Sequence, residues 1–109
     1  MQKINAPLTD TKWKTTFPAQ PPVDVVFIFS ADSLNVLTTE NYNLETLKYT
    51  VIDSVLMLQT LHGQTRCDTG TTGGYMYKVN ATGLLLTLIS DNCNERSQVL
   101  NNLIFTKLE

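Results

Sequence analysis

The stretch that decides the fold is Gly73–Leu108, which reads GGYMYKVNATGLLLTLISDNCNERSQVLNNLIFTKL. Within it, Tyr75–Asn80 and Leu84–Ile89 are apolar-rich runs of strand length, and the Ala-Thr-Gly sequence between them is typical of a turn. We therefore expect a β-hairpin at this point in the chain.

The segment after the hairpin predicts a corner and a further strand. Ser90 or Asp91 is a suitable N-cap residue, and Asn94–Leu100 has the composition for one or two helical turns. Leu103–Leu108 then returns to an apolar strand pattern. The order hairpin, short helix, strand organises the last third of the chain.

The rest of the chain adds short strands that are separated by turns, and no βαβ spacing is present. Period-two alternation and β-branched or aromatic residues mark the strands. Residues 1–10 are predicted to form an N-terminal arm, and residues 11–109 a single domain. We predict eight strands and one helix, in the order Thr11–Phe17, Val23–Ser30, Leu34–Thr38, Leu44–Ile52, Val55–Leu61, Tyr75–Asn80, Leu84–Ile89, the helix Asn94–Leu100, and Leu103–Leu108.

Two successive hairpins share one pattern. In Tyr49–Leu58 and in Tyr77–Leu86, a tyrosine and a valine share a face of the first strand, and the return strand is rich in leucine. Hairpins of the same build placed side by side favour up-and-down connectivity over a Greek key. Short, evenly spaced strands indicate an antiparallel meander, which is compatible with a barrel or a sandwich.

Composition and charge argue against several classes of protein. The chain is 42% hydrophobic and 17% charged, and its net charge is −2. Because its basic residues are scattered, we expect no nucleic-acid partner. No apolar run approaches the ~20 residues of a transmembrane helix. The N-terminus lacks the apolar core of a signal peptide, so an extracytoplasmic location would require that a leader has been removed.

The two cysteines, Cys67 and Cys93, lie in polar loop sequence that flanks the same hairpin. They are either two half-buried free thiols or one disulfide, and we favour the disulfide. Such a bond would imply an oxidising compartment, so that the protein would be periplasmic, envelope-associated or secreted. A zinc site is not expected, because His62 is the only histidine and no CxxC or HxxxH spacing is present.

Residues spread along the chain form a recognisable series, namely Trp13, Gly74-Tyr75, Gly83-Leu84 and Asp91-Asn92-Cys93-Asn94-Glu95-Arg96. With this series the chain resembles the small bacterial lipocalin-like proteins of the calycin group. The resemblance implies an all-β, eight-stranded antiparallel up-and-down barrel with one short helix before the last strand, which pairs with the first. It also implies that an arginine packs across Trp13 and closes one barrel end. Arg96 is the candidate, and Arg66 is the second.

The resemblance also bears on function, because members with known roles bind small apolar molecules. An eight-stranded barrel is either filled by its own side chains or holds one small ligand. We expect a small cavity or none, with a shallow pocket at the mouth near residues 62–74. The residues that we expect to line a ligand site are Phe27, Phe29, Tyr49, Met57, Tyr75 and Tyr77.

No stretch carries a catalytic or cofactor motif. The glycines within residues 62–74 open no helix, and no nucleophile has an acid–base partner that the sequence would identify. We therefore expect neither enzymatic activity nor a cofactor. Two functions remain: a module that binds a small apolar ligand, and a solid-core protein-interaction module, such as an inhibitor or envelope-associated protein, that acts through its loops. A cavity above about 300 Å³ would favour the first.

Overall fold

A computed structural model shows a closed antiparallel barrel; it describes residues 8–18, 21–63, 67–80 and 82–108. Consecutive strands pair with each other, and the last pairs with the first through Lys12–Lys14 and Thr106–Leu108. The predicted eight-stranded up-and-down barrel with a short helix before the last strand is therefore confirmed. The elements are β1 (Thr11–Phe17), β2 (Val23–Phe29), β3 (Ser33–Thr38), β4 (Asn43–Ile52), β5 (Val55–Gly63), β6 (Thr72–Val79), β7 (Gly83–Asp91), α1 (Asn94–Leu100) and β8 (Leu103–Leu108).

Up-and-down connectivity gives the barrel two distinct ends. The tryptophan end is where β1 begins, near Trp13, and the helix end is where β1 finishes and where α1 joins β7 to β8.

Both β5 and β6 extend into the predicted loop 62–74. Most of the predicted N-terminal arm lies outside the described residues, but Leu8 is fully buried in the core. No helix in the described ranges is long and apolar enough to cross a membrane.

Strand alternation places the large apolar side chains inside the barrel, as the period-two pattern predicts. On β2, Phe27 and Phe29 are 2% and 1% exposed. The ring centroids of Phe27 and Phe105 are 4.7 Å apart, and those of Phe29 and Tyr49 are 4.9 Å apart. These aromatic contacts fill the barrel from its middle toward the tryptophan end.

The turn between β4 and β5 decides which residues of β5 face inward. Asp53, with a φ of 56°, occupies this turn, and Ile52 pairs with Val55. In this register Leu56 is buried and Met57 faces outward, where it is 37% exposed. The prediction that Met57 lines a ligand site is therefore wrong, because a two-residue turn leaves no freedom to shift the alternation.

Candidate functional site

A buried ionic network lies at the helix end, centred on Arg96 of α1, which is 6% exposed. Its Nε donates to Oδ2 of Asp91 at 2.7 Å, and its Nη2 donates to Oδ1 at 2.9 Å. Its Nη1 donates to Oγ1 of Thr60 at 2.9 Å, and Nη2 also donates to the carbonyl oxygen of Thr71 at 3.3 Å. The guanidinium therefore joins α1 to the strands β5 and β7 and to the residue that precedes β6.

Asp91 reaches the barrel interior because of a bulge in β7. The residues on either side of Ile89 pair with adjacent residues of β6, so Ile89 is an extra residue in the ladder. One extra residue reverses the alternation that follows it. Before the bulge, the even-numbered residues of β7, such as Leu84 and Leu86, point inward. After it, the odd-numbered Asp91 lies opposite Gly73, and its side chain is fully buried.

Four hydrogen bonds stabilise the buried carboxylate of Asp91. Besides the two from Arg96, it accepts one from the Tyr75 hydroxyl at 2.6 Å and one from the Cys93 amide at 2.8 Å. Burial by itself would raise the pKa of Asp91, but the hydrogen bonds from Arg96, Tyr75 and Cys93 hold it below its usual 3.8. Burial raises the pKa of Tyr75, and the bond to Asp91 raises it further, so the hydroxyl remains a donor.

Gly73 is needed for this network, because a Cβ at its position would overlap the carboxylate of Asp91. We expect Gly73→Ala to lower the free energy of unfolding by about 1–3 kcal/mol, the usual cost of overpacking. The measurement is urea unfolding, with Gly74→Ala as the matched control. The nearest atom to a Cβ at Gly74 would be the sulfur of Met57, at 3.1 Å, and the Met57 side chain is exposed and flexible. Equal costs for the two variants would contradict this role of Gly73.

The cysteines form a disulfide, which confirms the predicted pair Cys67 and Cys93. The bond links the β5–β6 connection to the residue that precedes α1. The prediction that Ser90 or Asp91 caps the helix is wrong, because β7 continues to Asp91 and Cys93 is the N-cap residue, without a side-chain cap. The disulfide and the Arg96 network are therefore the contacts that attach the start of α1 to the barrel.

Trp13 and Arg96 do not form the predicted pair. The indole Nε1 of Trp13 donates to Oγ1 of Thr11 at 2.8 Å, and Nζ of Lys107 lies 5.8 Å from the ring centroid. Arg96 lies at the helix end because β7 finishes there, whereas β1 begins at the opposite end. The cation over the indole is Lys107, which pairs with Trp13 across the β1–β8 seam. Arg66, the second candidate, lies outside the described residues.

An apolar cavity of about 270 Å³ lies between the barrel interior and α1. It is at the predicted end, but strands and helix form its wall rather than the described residues of the 62–74 segment. Its volume lies just below about 300 Å³, which is the lower limit of ordinary ligand pockets and the value above which we expected ligand binding to be favoured. The residues that line it are Phe17, Phe27, Leu34, Val36, Leu44, Glu45, Leu47, Leu58, Glu95, Arg96, Val99 and Leu100.

Among the residues predicted to line a ligand site, Phe27 is at this cavity. Phe29 packs on Tyr49, whose hydroxyl donates to the carbonyl oxygen of Ser30. Tyr75 is fully buried, and its hydroxyl binds Asp91 rather than facing the cavity. Tyr77, which is 8% exposed, belongs to the core cluster. Of the aromatic residues predicted to line a ligand site, Phe27 alone is at the cavity, and the others are held by core packing or by hydrogen bonds elsewhere.

Glu45 is the functional residue that sequence reasoning missed. It lies on β4 between two irregularities of the pairing, one with β3 and one with β5. Its side chain is 12% exposed, and its Oε2 lies 3.8 Å from Nη1 of Arg96. That oxygen is buried and has no hydrogen-bond partner among the described residues. The available signal was alternation, since Glu45 has the same parity as the inward-facing Leu47 and Tyr49.

The protonation of Glu45 is set by its surroundings. Burial raises the pKa of Glu45 from 4.5 to about 7; Arg96 lowers it, and Asp91 and Glu95 raise it further. A carboxyl group that is partly protonated at neutral pH can both donate and accept a hydrogen bond. The cavity therefore combines an apolar wall with one polar group that is available to a ligand.

The same shift predicts a pH-dependent stability. Because the pKa of Glu45 is higher in the folded chain than in the unfolded chain, the protonated side chain favours the folded state. This contribution to the free energy of unfolding is complete below pH 4.5 and is lost as the pH rises through about 7. We expect Glu45→Gln to be more stable than the wild-type chain by about 3 kcal/mol at pH 8, and equally stable at pH 4. Thermal or urea unfolding at both pH values measures this, with the exposed Glu40→Gln as control. A pH-independent difference would contradict the assignment.

Comparisons with known proteins add no relative. No family model, curated protein or solved structure matches the chain. Within the described ranges, no group of three histidine, cysteine, aspartate or glutamate residues is arranged to hold a metal ion. The geometry of the cavity and the network is therefore the basis for a functional proposal.

Proposed function

We propose that the protein is a lipocalin-like, non-enzymatic binding module that holds one small apolar ligand between the barrel interior and α1. The observation that carries this proposal is the apolar cavity of about 270 Å³. A cavity of about 150 Å³ holds benzene. By proportion, this one would take roughly ten non-hydrogen atoms of a ligand.

An extracytoplasmic location is part of the proposal. The Cys67–Cys93 disulfide supports it, because such bonds persist in the periplasm, at the cell surface and in the medium but are rare in the cytosol. A location outside the cytoplasm also fits a module that captures a small molecule from its surroundings.

Ethylbenzene is a suitable first probe, because it is apolar and has eight non-hydrogen atoms. We expect it to raise the thermal midpoint of the wild-type protein, since a ligand that binds only the folded state stabilises it. Val99→Phe should abolish this response, because Val99 lines the cavity and the added ring would occupy it. Val79→Phe is the matched control, since Val79 is 37% exposed and lies away from the cavity.

The alternative function, a solid-core module that acts on a protein partner through its loops, predicts a different result. The cavity argues against a filled barrel. The two segments considered for this role, the proline-rich segment 18–22 and the segment 62–74, are only partly within the described residues. If neither ethylbenzene nor a polar analogue of the same size raises the thermal midpoint of the wild-type protein, the ligand-binding proposal fails and this alternative is favoured.

A further inference from the structure

Among the residues that the structure describes, the polar corner of the cavity carries more acidic than basic groups. Glu45 and Glu95 line the cavity together with Arg96, and Asp91 lies directly behind Arg96. With all four groups ionised, three negative charges face one positive charge. A ligand that enters this corner therefore meets an acidic environment within an otherwise apolar wall.

Arg96 is not available to bind an anionic ligand. A guanidinium has five N–H donors. In Arg96, four of these are taken by Asp91, Thr60 and the carbonyl oxygen of Thr71. The side of Arg96 that faces the cavity is instead close to Glu45, at 3.8 Å from Nη1 to Oε2. An incoming carboxylate or phosphate would thus find little hydrogen bonding and two adjacent glutamates.

Glu45, in contrast to Arg96, has the capacity to bind a group on a ligand. Its Oε2 is buried at the cavity wall and accepts no hydrogen bond from the described residues. A buried acceptor without a donor is costly, and a donor that reaches it recovers that cost. A cationic donor would in addition reduce the repulsion that Glu45 experiences from Asp91 and Glu95.

We propose that the ligand is a small primary amine, whose ammonium group binds Glu45 and whose hydrocarbon part fills the cavity. This inference rests on the proposed ligand-binding function and names the chemical class of the ligand. The apolar walls formed by β1 to β5 would hold the hydrocarbon part. The ammonium group would form a charge-assisted hydrogen bond with the carboxylate, which is stronger than a bond between neutral groups.

The test compares three probes of nearly equal size: 2-phenylethylamine, 2-phenylethanol and ethylbenzene. Isothermal titration calorimetry at pH 8 measures their affinities for the wild-type protein. We expect the amine to bind at least about tenfold more tightly than the alcohol, because only the amine brings a positive charge to Glu45. In Glu45→Gln the ratio of the two affinities should fall to about one, whereas Glu40→Gln should keep the wild-type ratio.

The pH dependence gives a second measurement. Glu45 is the group that must be ionised, and the charged groups facing it are Arg96 of α1, Asp91 of β7 and Glu95 of α1. Amine affinity should therefore rise by about tenfold between pH 5.5 and pH 8, as Glu45 loses its proton. The affinity for ethylbenzene should change much less, since it carries no group that binds Glu45.

The outcomes separate this inference from the proposed function. If ethylbenzene and the alcohol bind but the amine has no advantage, the cavity binds apolar ligands and the amine inference is wrong. If the amine keeps its advantage in Glu45→Gln, the assignment to Glu45 is wrong. If none of the three probes binds the wild-type protein, both the inference and the ligand-binding function are wrong.

Discussion

Replacing Arg96 with methionine should lower the free energy of unfolding by about 3–5 kcal/mol, the usual cost of breaking a buried ion pair from one side. The variant keeps the aliphatic volume but leaves Asp91, whose side chain is fully buried, without its cation and two of its hydrogen bonds. It also removes the links from α1 to Thr60 and Thr71. Urea unfolding followed by circular dichroism measures the change.

The second partner of the pair provides the control for this prediction. Asp91→Leu should cost a similar amount, because it removes two hydrogen bonds of Arg96 and leaves Glu45, at 3.8 Å, as the nearest carboxylate to the buried guanidinium. The double variant with Arg96→Met should be considerably less destabilised than the sum of the single variants, because neither member of the Asp91–Arg96 pair is left buried without the other. Lys78→Met, at an exposed position of β6, should change stability by less than about 0.5 kcal/mol. If the destabilisation of the double variant equals the sum of those of the two single variants, Asp91 and Arg96 do not act as a unit.

The ionised form of Asp91 adds a pH signature to this result. Since the pKa of Asp91 is lower in the folded chain than its usual 3.8, its contribution is complete above that pH and is lost as the pH falls through the folded value. Asp91→Leu should therefore show less acid destabilisation than the wild-type protein. This direction is opposite to that of Glu45, so the two groups are separable by titration of stability.

Removal of the disulfide should have the second largest effect. Replacing Cys67 and Cys93 with serine opens a bond between residues 26 apart in sequence, and loop-closure entropy for that span gives about 3.5 kcal/mol. Cys93 is fully buried, so an added hydroxyl group at its position increases the cost. Urea unfolding of the double variant, beside the oxidised wild-type protein, measures the loss.

Two measurements keep the disulfide prediction testable if the double serine variant does not fold. Thiol titration of the native protein should find no reactive thiol, because neither cysteine of the chain is free. Reduction with dithiothreitol should lower the thermal midpoint of the wild-type protein without any substitution. A free thiol in the native protein, or an unchanged midpoint on reduction, would contradict the assigned role of the bond.

Strand identity was a local property of the sequence and was predicted well. The alternation of Val25, Phe27 and Phe29 is enough to identify both a strand and its inward face, because successive side chains in a strand point to opposite sides. The composition of Asn94–Leu100 also placed the helix with correct bounds, although its cap residue was predicted wrongly. The turn at Asp53-Ser54 is also local, although its consequence for Met57 was overlooked.

The candidate site depends on contacts between residues that are distant in sequence. Arg96 meets Asp91 and Glu45 only because the ends of β4 and β7 and the helix α1 all lie at one barrel end. Arg96 was assigned to Trp13 on the resemblance to lipocalin-like proteins, and no periodicity in the sequence could have shown that the two residues lie at opposite ends. Strand alternation could have indicated that Glu45 faces inward, but its burial beside a cavity depends on how α1 packs against the barrel.

Local alternation of side chains thus determined the strands, the helix and most of the core of this protein, because each depends on neighbours two to four residues away. Barrel closure, the inward turn of Asp91 and the cavity beside Glu45 were decided by tertiary structure. The physical reason is that a single extra residue at Ile89 reverses the facing of every residue after it in β7, and whether it forms a bulge depends on its pairing with β6.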